Sequence, residues 1–90
     1  MVRVLIVDEH PMVRLGVSAV LARTLPGVSI HEASDGAEAL QAIGHEAWDL
    51  VLMGLSMPGR PGLEILKQIR VLRPRLPILV LSMYLESTGL

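Results

Sequence analysis

The chain has 90 residues, is 51% hydrophobic and 19% charged, and contains no cysteine. That composition, with a mean hydropathy of +0.52, fits one small domain with an aliphatic core and excludes a disulfide framework or a thiolate metal site. A balance of 8 basic against 9 acidic residues gives a net charge of −1 and no electrostatic footprint for nucleic acid or an anionic membrane, so any DNA role would belong to another part of the protein.

No apolar run approaches the roughly 20 residues of a bilayer span, and no basic segment precedes a signal-like core. The expectation is a soluble, cytoplasmic chain without membrane contact. Four aliphatic runs recur along it, Val4 to Val7, Val28 to Ile30, Leu50 to Met53 and Ile78 to Leu81, with helix-like patterns between them. Such alternation argues βαβ units around a parallel sheet. Three of the runs are apolar at nearly every position, as expected of strands covered on both faces, whereas the second is weaker and reads as an edge.

The first helix is expected to begin at Pro11, because proline at the first helical position forfeits no hydrogen bond, and Val13, Val17, Val20 and Leu21 then share a face. It should end near Pro26-Gly27. The second is announced by Asp35-Gly36-Ala37-Glu38, whose spacing resembles a capping box, with Ala39, Leu40 and Ile43 on its apolar side and Gly44 as its stop. The third should start at Pro61 after the turn Pro58-Gly59 and end before Pro74. Its inward positions are Ile65, Leu66, Ile69 and Leu72, and its outward ones Glu64, Lys67 and Arg70.

Open parallel sheets bind ligands at the carboxyl ends of their strands. Those ends carry Asp8 and Glu9, then Gly54, then Ser82. Adjacent carboxylates are hard oxygen donors suited to Mg²⁺; equally, they suit the positive end of the helix opening at Pro11. His10 reads as a capping or solvent-facing residue, since no second histidine stands at ligand spacing. Ser56 lacks a neighbouring base that would make it a nucleophile. Arg70, Arg73 and Arg75 gather at the end of the third helix, where its dipole favours cations. Trp48 and Tyr84 are the only aromatic residues, the first expected to pack ahead of the third strand and the second to lie on a partner surface.

In order, VLIVDEHPMVRLGV, MGLSMPGRPG and PILVLSMY resemble the receiver domain of two-component response regulators, of the NarL/FixJ (LuxR-type) group, along the whole chain. The resemblance implies a CheY-like, flavodoxin-like three-layer αβα fold with strand order 2-1-3-4, stopping before the fifth strand of the complete 2-1-3-4-5 sheet. It assigns Mg²⁺ binding to Asp8, Glu9 and the Ser56 backbone carbonyl, the hydroxyl switch to Ser82, with Tyr84 beside it, and the phosphoacceptor position to Gly54. Glycine offers no carboxylate to attack a phosphoryl group. Glu9 stands where aspartate is usual, Pro61 where the family's turn often has aspartate, and the lysine of the fifth strand is absent; Lys67 is no substitute.

The resemblance therefore implies a non-enzymatic pseudo-receiver, the N-terminal part of a DNA-binding transcription regulator, acting by protein interaction or homodimerisation, with weak Mg²⁺ binding at most and no required cofactor. A histidine kinase is the family's usual partner, and DNA would be reached only through a C-terminal domain. One alternative is an ordinary Mg²⁺-dependent phospho-receiver inactivated by substitution at position 54 and truncation. Another is a small phosphate- or nucleotide-binding enzyme on the same fold, disfavoured by the lack of a P-loop or G-x-G-x-x-G.

Overall fold

The computed structural model describes residues 1–55, 57, 59 and 61–81. Seven elements follow in order: β1 (Arg3–Val7), α1 (Pro11–Thr24), β2 (Ser29–Ala33), α2 (Gly36–His45), β3 (Leu50–Gly54), α3 (Gly62–Leu72) and β4 (Ile78–Leu81). All strand pairs are parallel, in the order β2-β1-β3-β4. This is the expected doubly wound arrangement, with the weaker second strand at an edge.

Alternation along the central strands divides the core between the two faces of the sheet. Leu5 and Val7 of β1 and Val51 and Met53 of β3 point to the face where Ala39 and Ile43 of α2 and Ile65 and Ile69 of α3 are fully buried. Burying each such side chain contributes roughly 1.5–3 kcal/mol, so most of the stability lies on this side. On the opposite face Val4, Ile6 and Leu52 meet Val17 and Leu21 of α1, yet α1 has no wholly buried residue.

Two inward assignments are corrected. Val20 is 58% exposed: Arg14 and Val20 flank the Val13, Val17 and Leu21 stripe on opposite sides, at about 100° per residue, and Arg14 pairs with Glu32 of β2, which leaves Val20 on the flank turned away from β2. Leu72, in the last turn of α3, is 48% exposed.

Helix boundaries follow local chemistry. Asp35 caps α2 by accepting from Glu38 N at 2.8 Å, while Glu38 Oε1 reaches back to Ser34, accepting from its N at 2.6 Å and its Oγ at 2.9 Å. The reciprocal half of the box thus falls one residue earlier than the usual pattern. The helix continues through Gly44 to His45. Pro61 is the cap of α3 rather than its first residue, because Gly62 follows immediately in a close approach to the chain after β3. Its N donates to Leu55 O at 2.8 Å, and a β-carbon there would collide with the Leu55 backbone, 2.6 Å from its carbonyl carbon.

The second strand runs past Ile30 through His31 and Glu32 to Ala33, paired with β1 from Arg3 to Val7. At the opposite end of the sheet, the half-buried Trp48 donates its Nε1 to Ala42 O at 2.9 Å. The Arg3 guanidinium lies 5.0 Å from the Trp48 ring centre, and His31 meets it edge-on at 5.1 Å. Trp48 therefore packs just ahead of β3, as its position in the sequence suggests.

Candidate functional site

Parallel register brings the ends of β1 and β3 together. Val7 stands opposite Met53, so the next residues, Asp8 and Gly54, are neighbours at the carboxyl edge, and Gly54 in turn stands opposite Leu81 of β4. Asp8 is only 2% exposed. Its backbone N donates to Ala33 O at 3.1 Å, and its carbonyl accepts from the Arg14 guanidinium at 2.7 Å. Arg14 Nε also donates to Glu32 Oε1 at 2.8 Å, tying α1 to the edge strand beside the site.

The Asp8 carboxylate has two distinct surroundings. Its Oδ1 accepts from His10 N at 2.8 Å and meets His10 Nδ1 at 2.8 Å. An aspartate bonding to the backbone two residues on is the ordinary Asx turn, here at the mouth of α1. Its Oδ2 stands over Gly54: a β-carbon at position 54 would lie 3.3 Å from Asp8 Cγ and closer still to Oδ2. Glu9 Oε2 lies 3.4 Å from the other ring nitrogen of His10.

The sequence-assigned residues are thus brought together at one strand edge as far as Asp8, Glu9 and Gly54 are concerned. Ser56, Ser82 and Tyr84 lie outside the described residues. His10, taken from the sequence as a capping or solvent-facing residue, is half-exposed at the cap position of α1 but makes no side-chain cap bond; its ring engages Asp8 instead. The sequence carries a signal for the backbone half of this contact, an aspartate ahead of a helix start being the Asx-turn residue, but none for the ring pairing or for the hold of Arg14 on Asp8 O. The arginines behind α3 serve structure: Arg70 donates to Pro74 O at 3.1 Å and Leu76 O at 2.6 Å, and Arg73 donates to Ile43 O at 2.9 Å.

Mg²⁺ in such a pocket needs converging oxygen donors with lone pairs to spare. As arranged, the described donors do not fit it. One Asp8 oxygen is occupied by His10, the other fills the space where a third acid would project from position 54, and no group of three or more His, Cys, Asp or Glu among the described residues could hold a metal ion. The described residues likewise include no helix long and apolar enough to cross a membrane.

Comparison with known proteins gives this arrangement its context. The chain is 41% identical over 83 residues to the transcriptional activator protein ExaE of Pseudomonas putida, a match covering 92% of this chain and 39% of that protein. It therefore spans about two fifths of the length of that curated relative. Among solved structures it is similar to the chemotaxis response regulator CheY4 of Vibrio cholerae, with a TM-score of 0.84 and 30% identity, covering 99% of this chain and 74% of that one. It is similar also to the complex of the histidine kinase ThkA with the response regulator TrrA, with a TM-score of 0.82 and 34% identity over 96% of this chain and 75% of that one; TrrA is from Thermotoga maritima. Residues 4–89 match the response regulator receiver domain. With that match over nearly its whole length, strands in the order β2-β1-β3-β4 and an acidic strand end beside the close of β3, the chain belongs to the receiver domain family of response regulators, among relatives of the NarL/LuxR type.

Proposed function

We propose that this domain is a pseudo-receiver: a regulatory module of a transcription regulator that works through protein contacts, homodimerisation among them, without aspartyl phosphate. The observation that carries the reading is Gly54 at the last position of β3. Phosphoryl transfer to a receiver requires a carboxylate oxygen as nucleophile at that position, and glycine has none. The nearest carboxylate, that of Asp8, is buried and bonded to His10. The regulatory setting is supported by ExaE, a transcriptional activator, and a kinase encounter by the ThkA–TrrA complex. A kinase meeting this domain would find a docking surface but no acceptor. Mg²⁺ is not required for such a role, and DNA contact would belong to a separate domain.

The test is incubation of the purified chain with Mg²⁺ and acetyl phosphate, followed by intact-mass spectrometry. The expected result is an unchanged mass. A phosphoryl adduct, whether acid-stable or hydroxylamine-sensitive, would overturn the reading.

A further inference from the structure

We propose that Asp8 and His10 form a clasp that exists because residue 54 has no side chain, and that this clasp holds the acidic pocket closed against divalent cations. The Asp8 carboxylate occupies the space into which the first side-chain atom of any other residue at position 54 would project. It is held there from the opposite side by the His10 N–H and ring, both at 2.8 Å from the same oxygen. In the rotamer adopted by the almost wholly buried Asp8 side chain, Oδ1 is committed to His10 and Oδ2 to the space over Gly54. The three residues then form one unit: adding an atom at 54 must eject Oδ2, and ejecting Oδ2 must disturb the bonds of Oδ1 to His10.

Alanine at position 54 supplies no metal ligand, yet it frees the Asp8 carboxylate to turn towards Glu9. Gly54→Ala should therefore bind Mg²⁺ more tightly than the parent chain, by about fivefold if the clasp has the coupling energy usual for residues in direct contact. His10→Ala removes the ring but leaves the backbone bond, so its gain should be smaller. Because both changes open the same clasp, Gly54→Ala/His10→Ala should gain no more than Gly54→Ala alone.

The clasp is independent of the pseudo-receiver reading, since its readouts are metal affinity and the state of the His10 ring rather than phosphorylation. The experiment is a calorimetric Mg²⁺ titration of the parent, the two single variants and the double variant. It is paired with metal-free nuclear magnetic resonance spectra of the histidine rings, referenced to Asp8→Asn. The expected result is tighter binding by Gly54→Ala, non-additive with His10→Ala, and a His10 ring signal in Gly54→Ala shifted from its parent position. Equal or weaker binding by Gly54→Ala, multiplicative effects in the double variant, or an unmoved ring signal would each overturn the proposal. Should Gly54→Ala not fold, His10→Ala decides alone: no gain in affinity overturns it.

Discussion

At the scale of single residues, position 54 concentrates the chemistry of the domain. Gly54→Asp adds a third carboxylate beside Asp8 and Glu9, and the incoming β-carbon must push Asp8 Oδ2 aside. Both effects favour a cation, so calorimetry should give higher Mg²⁺ affinity than either the parent or Gly54→Ala. Loss of glycine from a strand recovers roughly 0.5–1 kcal/mol of backbone entropy, which offsets part of the displacement, and the variant should remain folded. No gain in Mg²⁺ affinity would contradict the assignment of Asp8 and Glu9 to an acidic pocket. The positions of Asp8, Glu9 and Gly54 at one edge were legible in the sequence, because each directly follows or closes an apolar run and parallel strands align their carboxyl ends. The Asp8–His10 pairing was not, because it depends on a side-chain rotamer and on the empty space over one glycine.

At the scale of elements, two glycines with the same composition signal have opposite meanings. Gly62 opens α3 against the Leu55 backbone, which cannot yield as a side-chain tip can, whereas nothing lies within 4 Å of where a β-carbon on Gly44 would sit. Gly62→Ala should therefore destabilise the domain by roughly 1–3 kcal/mol through overpacking, while Gly44→Ala should stabilise it by roughly 0.5–1 kcal/mol through reduced freedom of the unfolded chain. Urea denaturation of the two variants checks both signs; equal effects would refute the distinction. Most element starts were readable from local chemistry, as at Pro11 and at Asp35 with Glu38. Less readable were features set by tertiary pairing. β2 extends over His31 and Glu32 because β1 offers it a full ladder, although neither residue favours a strand. Val20 lies outside the packed stripe because hydrophobic spacing marks a face but not how much of that face a neighbour covers.

At the scale of the molecule, the two faces of the sheet are unequally covered, and β4 is the last strand of the sheet on its side among the described residues. Among the described residues β4 pairs only with β3. Its central residues Leu79 and Val80 remain 55% and 38% exposed, on opposite faces, opposite Leu52 and Met53 respectively. Ile78-Leu79-Val80-Leu81 contains no charge, proline or glycine to blunt the edge, and such strands are templates for pairing with another chain. An antiparallel pairing of two β4 edges about a two-fold axis is self-complementary; it would satisfy backbone groups on both copies and bury Leu79 and Val80. With each large aliphatic side chain contributing roughly 1.5–3 kcal/mol when buried, the two strands together offer enough for association, and a net charge of −1 opposes it little. A protein made of these 90 residues alone should therefore self-associate through β4, with light scattering showing a mass that rises above the monomer as concentration increases. Leu79→Lys and Val80→Lys together should return it to a monomer, because the substitutions replace the apolar side chains with like charges that the pairing would bring together. A folded parent chain that stays monomeric at high micromolar concentration would refute the edge pairing.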